Sequence, residues 1–223
     1  MMTRFEICIP FTLAAECPFP DDWSNPENYS NDPHDSGGQT MDGITAVELN
    51  SWRISHGERL IDVRNVSQTE GYAIYEQNYW QPHCNYLAPG LDLCVFDTSV
   101  NQGPTAATRI LQLVLGVATD GIWGPATQTA ATAAALNIPA AILAFTAARK
   151  AAYRGYHNFQ IFGKGWISRA TNIGTDALSM TQVPEGIKIV RKFMRAPRVY
   201  HGYGLHGWTI HEAPTNDHDP QRN

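Results

Sequence analysis

Apolar positions recur along this chain in short blocks separated by Pro, Gly and Asx residues, and most blocks carry helical spacing. Residues 5–16, FEICIPFTLAAE, form a short apolar element ending in Glu16, with Pro10 suited to the first turn of a helix over 10–16. Residues 17–45 hold Pro18, Pro20, Asn25-Pro26, Asn31-Asp32-Pro33 and Gly37-Gly38, which break any period. They are predicted to be a long loop with room for a short β-hairpin. Loops of that length are uncommon unless they serve a function. Val47, Leu49, Trp52 and Ile54 predict a helix over 46–56. A second helix is predicted from about Ser67, whose spacing to Glu70 is that of a capping box, with Tyr72, Ile74, Tyr75 and Tyr79 on its apolar face.

The second half repeats the theme. LDLCVFDTSVN (91–101) is mostly apolar with Asp97 inside it. Pro104 opens a helix with apolar positions 106, 107, 110, 111 and 114, and Gly116 is its stop. Asp120-Gly121 marks a turn, and Pro125 and Pro139 each suit a first helical turn. The helix from Pro139 to about Tyr156 buries Ile142, Leu143, Phe145 and Ala148, and GWISRATNI (165–173) closes the core through Trp166 and Ile167. Beyond Thr175 the pattern changes. Ile187, Val190 and Met194 stand at i, i+3 and i+7 against Lys188, Arg191, Lys192, Arg195 and Arg198, a basic amphipathic stretch over 184–198 followed by a polar end. The pattern as a whole predicts a mostly helical protein with one functional loop near its start.

Composition narrows the class. At 223 residues with 43% hydrophobic and 17% charged content, the chain is globular rather than disordered. No run of about 18 apolar residues predicts a membrane span. The first residues make a poor signal peptide, so synthesis in the cytoplasm is expected. Residues 1–148 hold 5 Lys/Arg against 16 Asp/Glu, a net of −11, and residues 149–223 hold 11 against 5, a net of +6. The acidic and basic parts suggest different faces with different partners, or simply mutual neutralisation. Cys8, Cys17, Cys84 and Cys94 have no CxxC spacing and read as reduced thiols, with pairing after export as the alternative. His201, His206, His211 and His218 stand five, five and seven apart, which is no ligand spacing, so no metal and no cofactor is expected. Walker, dinucleotide and G-x-S-x-G motifs are lacking.

The carboxylates carry the chemistry. An acid at the end of an apolar helix is a natural proton donor, because burial disfavours its charge and raises its pKa. Glu16 fits that description, and Asp35, in the Gly-rich loop, would stay solvated and ionised. Two carboxyl groups in two environments suit glycosidic cleavage.

Five stretches, in order, resemble glycoside hydrolase family 108, the phage-type N-acetylmuramidases and endolysins of the lysozyme superfamily. They are the apolar element ending in Glu16, NDPHDSGGQTMDGIT (31–45), YEQNYW (75–80), FDTSVNQG (96–103) and DGIWGPAT (120–127). Residues 148–166 are similar to the family's closing helical segment. The resemblance implies a mainly α, lysozyme-like helical domain with a long N-terminal active-site loop or small β-hairpin. It implies a catalytic region over 1–104, a peptidoglycan-binding-like helical region over 105–173 packed on the same core, and a basic extension over 174–223.

The implied activity is hydrolysis of the β-1,4 bond between N-acetylmuramic acid and N-acetylglucosamine. Glu16 is the implied general acid, and Asp35 and Thr40 manage the water, with Asp32 as the alternative to Asp35. Cys17-Pro18 replaces the two glycines that follow the family's acid, and PFPDDWSNPE (18–27) is inserted before the loop, so Glu27 is a rival for the acid. Asn101 is the candidate sugar-bonding residue or a helix cap; Tyr79 and Trp80 stack on sugar or pack in the core; Asp97 and Trp123 read as structural. The expected partners are peptidoglycan strands and, through 184–198, an anionic membrane surface, with no nucleic acid and a monomeric protein. The expected place of action is the periplasm or wall after holin-type release.

Overall fold

The computed structural model describes residues 2–31, 38–81 and 83–181. Asp32, Asp35, the basic stretch 184–198 and the four C-terminal histidines lie outside the described residues.

Helix α1 runs Arg4–Leu13 and is fixed by a capping box. Thr3 Oγ1 accepts from the Glu6 amide at 3.1 Å, and the Glu6 carboxylate accepts from the Thr3 amide at 2.6 Å. Phe5, Cys8, Ile9, Thr12 and Leu13 fill its buried stripe. Pro10 therefore sits inside the helix rather than in its first turn. The expected 10–16 helix starts six residues earlier because the Thr-x-x-Glu cap and the stripe outweigh the amide that proline lacks.

The loop after α1 contains a short 3₁₀ turn, Pro26–Asn28, and then the small sheet the sequence left room for. Strands β1 (Tyr29–Ser30), β2 (Thr40–Met41) and β3 (Ile44–Thr45) form an antiparallel sheet in chain order. The β2–β3 hairpin pairs Thr40 with Thr45 and Met41 with Ile44. Its two-residue turn, Asp42-Gly43, has φ of 52° and 77°, the left-handed pair that a tight hairpin requires.

Thr45 caps α2 (Ala46–Ser55) and Ser67 caps α3 (Gln68–Tyr75), which continues as one π-helical turn, Glu76–Trp80. Helix α4 (Leu91–Gln102) lies at the centre, buried on nearly every side. Helices α5 (Pro104–Leu115), α6 (Pro125–Ala134), α7 (Ile138–Arg154) and α8 (Phe159–Met180) follow. α4 packs against α1, α5, α7 and α8, and α7 lies along α8. Gly174 permits that approach: a Cβ there would stand 2.5 Å from Thr146 Oγ1.

Pro104, Pro125 and Pro139 all sit in first helical turns, as their positions predict. Two expectations change. α8 is longer than the predicted closing segment and continues through residue 173 to Met180, burying Ile173, Ala177 and Met180. Leu143, assigned to the buried face of α7, is 58% exposed, because Ala141, Ile142 and Phe145 turn that face toward the core. The four cysteines are buried free thiols.

Candidate active site

Glu16 lies just past α1, where the chain tightens: the Glu16 and Cys17 amides both donate to the Leu13 carbonyl, at 2.9 and 3.0 Å. The side chain is turned inward and is 7% exposed. Its wall on one side is the β2–β3 turn. A Cβ on Gly43 would fall 3.0 Å from Glu16 Cβ and 2.5 Å from the Tyr75 hydroxyl, so only glycine fits both the turn and the contact. Tyr75 closes this wall by donating to the Asp42 carbonyl at 2.9 Å.

On the other side stands a buried charge cluster from three helices. Arg169 of α8 places Nη1 2.6 Å from Glu16 Oε1 and, with its Nε and Nη2, holds Asp97 of α4 at 3.1 and 2.8 Å. Arg149 of α7 reaches the same Asp97 at 2.6 Å. Arg149 also donates to the Tyr153 hydroxyl at 3.0 Å, and Tyr153 donates to Asn101 Oδ1 at 2.5 Å. Both arginines are buried, against the usual rule, because each is paired.

The two acids respond differently. Burial pushes the Glu16 carboxyl above the ordinary range, and Arg169 opposes that without cancelling it. Burial also acts to raise Asp97, but two guanidinium groups outweigh it and hold that carboxyl below its usual value. Asp97 is thus the fixed charge and Glu16 the group able to carry a proton.

A third carboxyl was not anticipated. Asp42, in the hairpin turn, is fully buried. Its Oδ1 accepts from Asn28 Nδ2 at 2.6 Å, and Asn28 also bonds the Phe19 carbonyl and amide and the Asp22 carbonyl. Asn28 is therefore the clamp that ties the inserted segment 18–27 to the hairpin. Burial raises Asp42 to about 7, with the Asn28 bond acting the other way. The sequence signal was the Asp-Gly pair between two strand-forming dipeptides.

The predicted residues divide into groups. Thr40 lies half-buried on β2, in the sheet whose turn touches Glu16. Asn101 is 3% exposed and spends its carbonyl on Tyr153, at the far end of the charge cluster, and it caps no helix. Tyr79 is partly buried beside Tyr75, with ring centroids 5.9 Å apart. Trp80 is a core residue, not a stacking platform: it is 1% exposed, with Phe5 and Phe96 edge-on at 5.8 and 5.5 Å and its indole N–H on Asn85. Glu27 is exposed on the 3₁₀ turn, its amide capped by Asn25. Trp123 stacks on His83 at 4.9 Å. Arg149 and Tyr153 lie in the 148–166 segment singled out by resemblance, but nothing local marks them or Arg169 as partners of Glu16 and Asp97.

Comparison with known proteins places the chain in a family. The family Glycosyl hydrolase 108 matches residues 24–103. The match takes in the second part of the loop, the hairpin and α4, and begins after Glu16. The solved structure described as that of Brucella abortus SagA is 30% identical over an alignment covering 80% of this chain and 96% of that one, with a TM-score of 0.66. Among curated proteins none matches.

Proposed function

Because the chain belongs to glycosyl hydrolase family 108, we propose that it hydrolyses the β-1,4 bond between N-acetylmuramic acid and N-acetylglucosamine in peptidoglycan, with Glu16 as general acid. The observation that carries this reading is the setting of Glu16: a carboxyl at the end of a helix, 7% exposed, raised by burial and lying against the Gly43 turn. A general acid must hold a proton at working pH and release it as the leaving-group oxygen gains charge. Burial supplies the first property. Arg169, 2.6 Å away, supplies the second by stabilising the carboxylate once the proton has gone. Glu27 lies exposed on its turn, outside this buried setting.

Asp35 and Thr40 complete the proposal as the pair that holds and activates the attacking water, which would invert the anomeric centre. Tyr79 is the remaining candidate for contact with sugar. The site of action is the cell wall, reached after synthesis in the cytoplasm.

The test is a digest of purified peptidoglycan, read by mass spectrometry, with wild type, Glu16→Gln and Glu27→Gln. The expected products are reducing N-acetylmuramic acid ends, lost in Glu16→Gln and kept in Glu27→Gln. Loss only in Glu27→Gln would move the acid. Anhydro ends would mean a lytic transglycosylase. No soluble product from wild type would leave a wall-binding protein.

A further inference from the structure

We propose that Asp97 and Arg149 are positioning residues for Glu16, acting through Arg169. The proposal rests on the reading of Glu16 as the acid. Neither residue can touch substrate, at 0% and 1% exposed.

The geometry is a shared cation. The guanidinium of Arg169 has one edge, Nε and Nη2, committed to Asp97, and its remaining nitrogen, Nη1, stands 2.6 Å from Glu16 Oε1 as an ion pair. Asp97 competes with Glu16 for that charge. Arg149, 2.6 Å from Asp97, partly satisfies Asp97 and so releases some of Arg169 to Glu16. The balance decides whether Glu16 keeps its proton. Without Asp97, Arg169 would be neutralised by Glu16 alone and would hold it ionised, which is no use to an acid. Without Arg149, Asp97 would draw Arg169 away and Glu16 would hold its proton more firmly. The causes of the Glu16 shift have these signs, Asp97 raising it and Arg149 lowering it.

The other titratable groups facing Glu16 do not upset this balance. From α3 and the π turn come Tyr75 and Tyr79, and from its own segment Cys17; burial raises all three, so they are neutral at ordinary pH. Asp42, in the hairpin turn, is raised to about 7 and bonded by Asn28, and its contribution is the same in wild type and in each Asp97 or Arg149 variant. Glu48 interacts with Tyr79 and accepts from Asn78 Nδ2 at 2.9 Å.

The experiment is a ¹³C NMR titration of the Glu16 side-chain carboxyl in the full-length protein, assigned by its loss in Glu16→Gln, alongside the pH dependence of kcat/KM on soluble glycan strands. The expected midpoint falls by about 1 unit in Asp97→Asn, rises in Arg149→Gln, and stays near wild type in Asp97→Glu. The alkaline limb of kcat/KM moves the same way in each variant. A purely structural role would cost stability without moving the midpoint in opposite directions. Midpoints unmoved, or moved in the same direction by both variants in folded protein, overturn the proposal. If Asp97→Asn does not fold, the sign of the Arg149→Gln shift decides alone. If wild type hydrolyses nothing, the functional reading falls, while the NMR shifts still confirm or overturn the coupling.

Discussion

Asp42 combines three costs in one residue: a left-handed backbone at φ 52°, a fully buried carboxyl, and one bond from Asn28 in place of water. Its pH dependence follows directly. The folded carboxyl keeps its proton up to about pH 7, whereas the unfolded one releases it near the ordinary value of 3.8. Between those limits the folded state binds more protons, so stability falls as pH rises through the window and levels off above it. Asparagine tolerates the same backbone, offers the same acceptor to Asn28 and cannot ionise. Asp42→Asn is therefore expected to raise the melting temperature at pH 8 and leave it nearly unchanged at pH 4; thermal melts across that range check it. Glu16 was legible in the sequence because its signal is local, an acid at the end of an apolar element. Asp42 gave only a turn signal, since the chain does not announce which turn residues become buried. Trp80 was ambiguous for the opposite reason: an aromatic beside Tyr79 reads the same whether its partner is sugar or Phe96.

The elements were legible where caps and prolines mark them, as at Ser67, Pro104, Pro125 and Pro139. The start of α1 is hard to read because Pro10 imitates a first-turn proline, whereas the Thr3–Glu6 cap sets the true start. Removing that cap by Thr3→Ala should cost about 1 kcal/mol, measurable by urea denaturation, and the effect reaches the site because Glu16 follows the last turn of α1. The α7–α8 contact was not legible at all. A glycine inside a helical pattern says only that something comes close. Gly174→Ala places a methyl group 2.5 Å from Thr146 Oγ1. The expected loss is about 1–3 kcal/mol, and Thr146→Ala in the same chain should restore part of it. A double-mutant cycle in denaturant measures the coupling; additive effects would mean that the helices separate without strain.

At the scale of the whole molecule, the site is assembled from both ends of the chain. Glu16 comes from the first turn after α1, and its counter-charges come from α7 and α8. The family match ends at residue 103, before either arginine. The sequence located the loop, the hairpin and the buried position of Glu16, but not a cluster whose members, such as Asp97 and Arg169, lie 72 residues apart. This arrangement makes a prediction about truncation. Removing residues 138–223 takes away Arg149, Arg169 and two helices packed on α4, so the remainder should lose its cooperative melt as well as hydrolysis. Removing only 182–223 leaves every contact described for Glu16 in place and should preserve hydrolysis of soluble glycan strands. What the shorter truncation should lose is attraction to anionic surfaces, because it deletes Lys188, Arg191, Lys192, Arg195 and Arg198. Co-sedimentation with anionic vesicles would measure this: the full chain should bind at low ionic strength and release near 1 M salt, where the screening length is about 3 Å, and the truncated chain should not bind at either. Equal binding by both chains would place any membrane contact on the helical body instead.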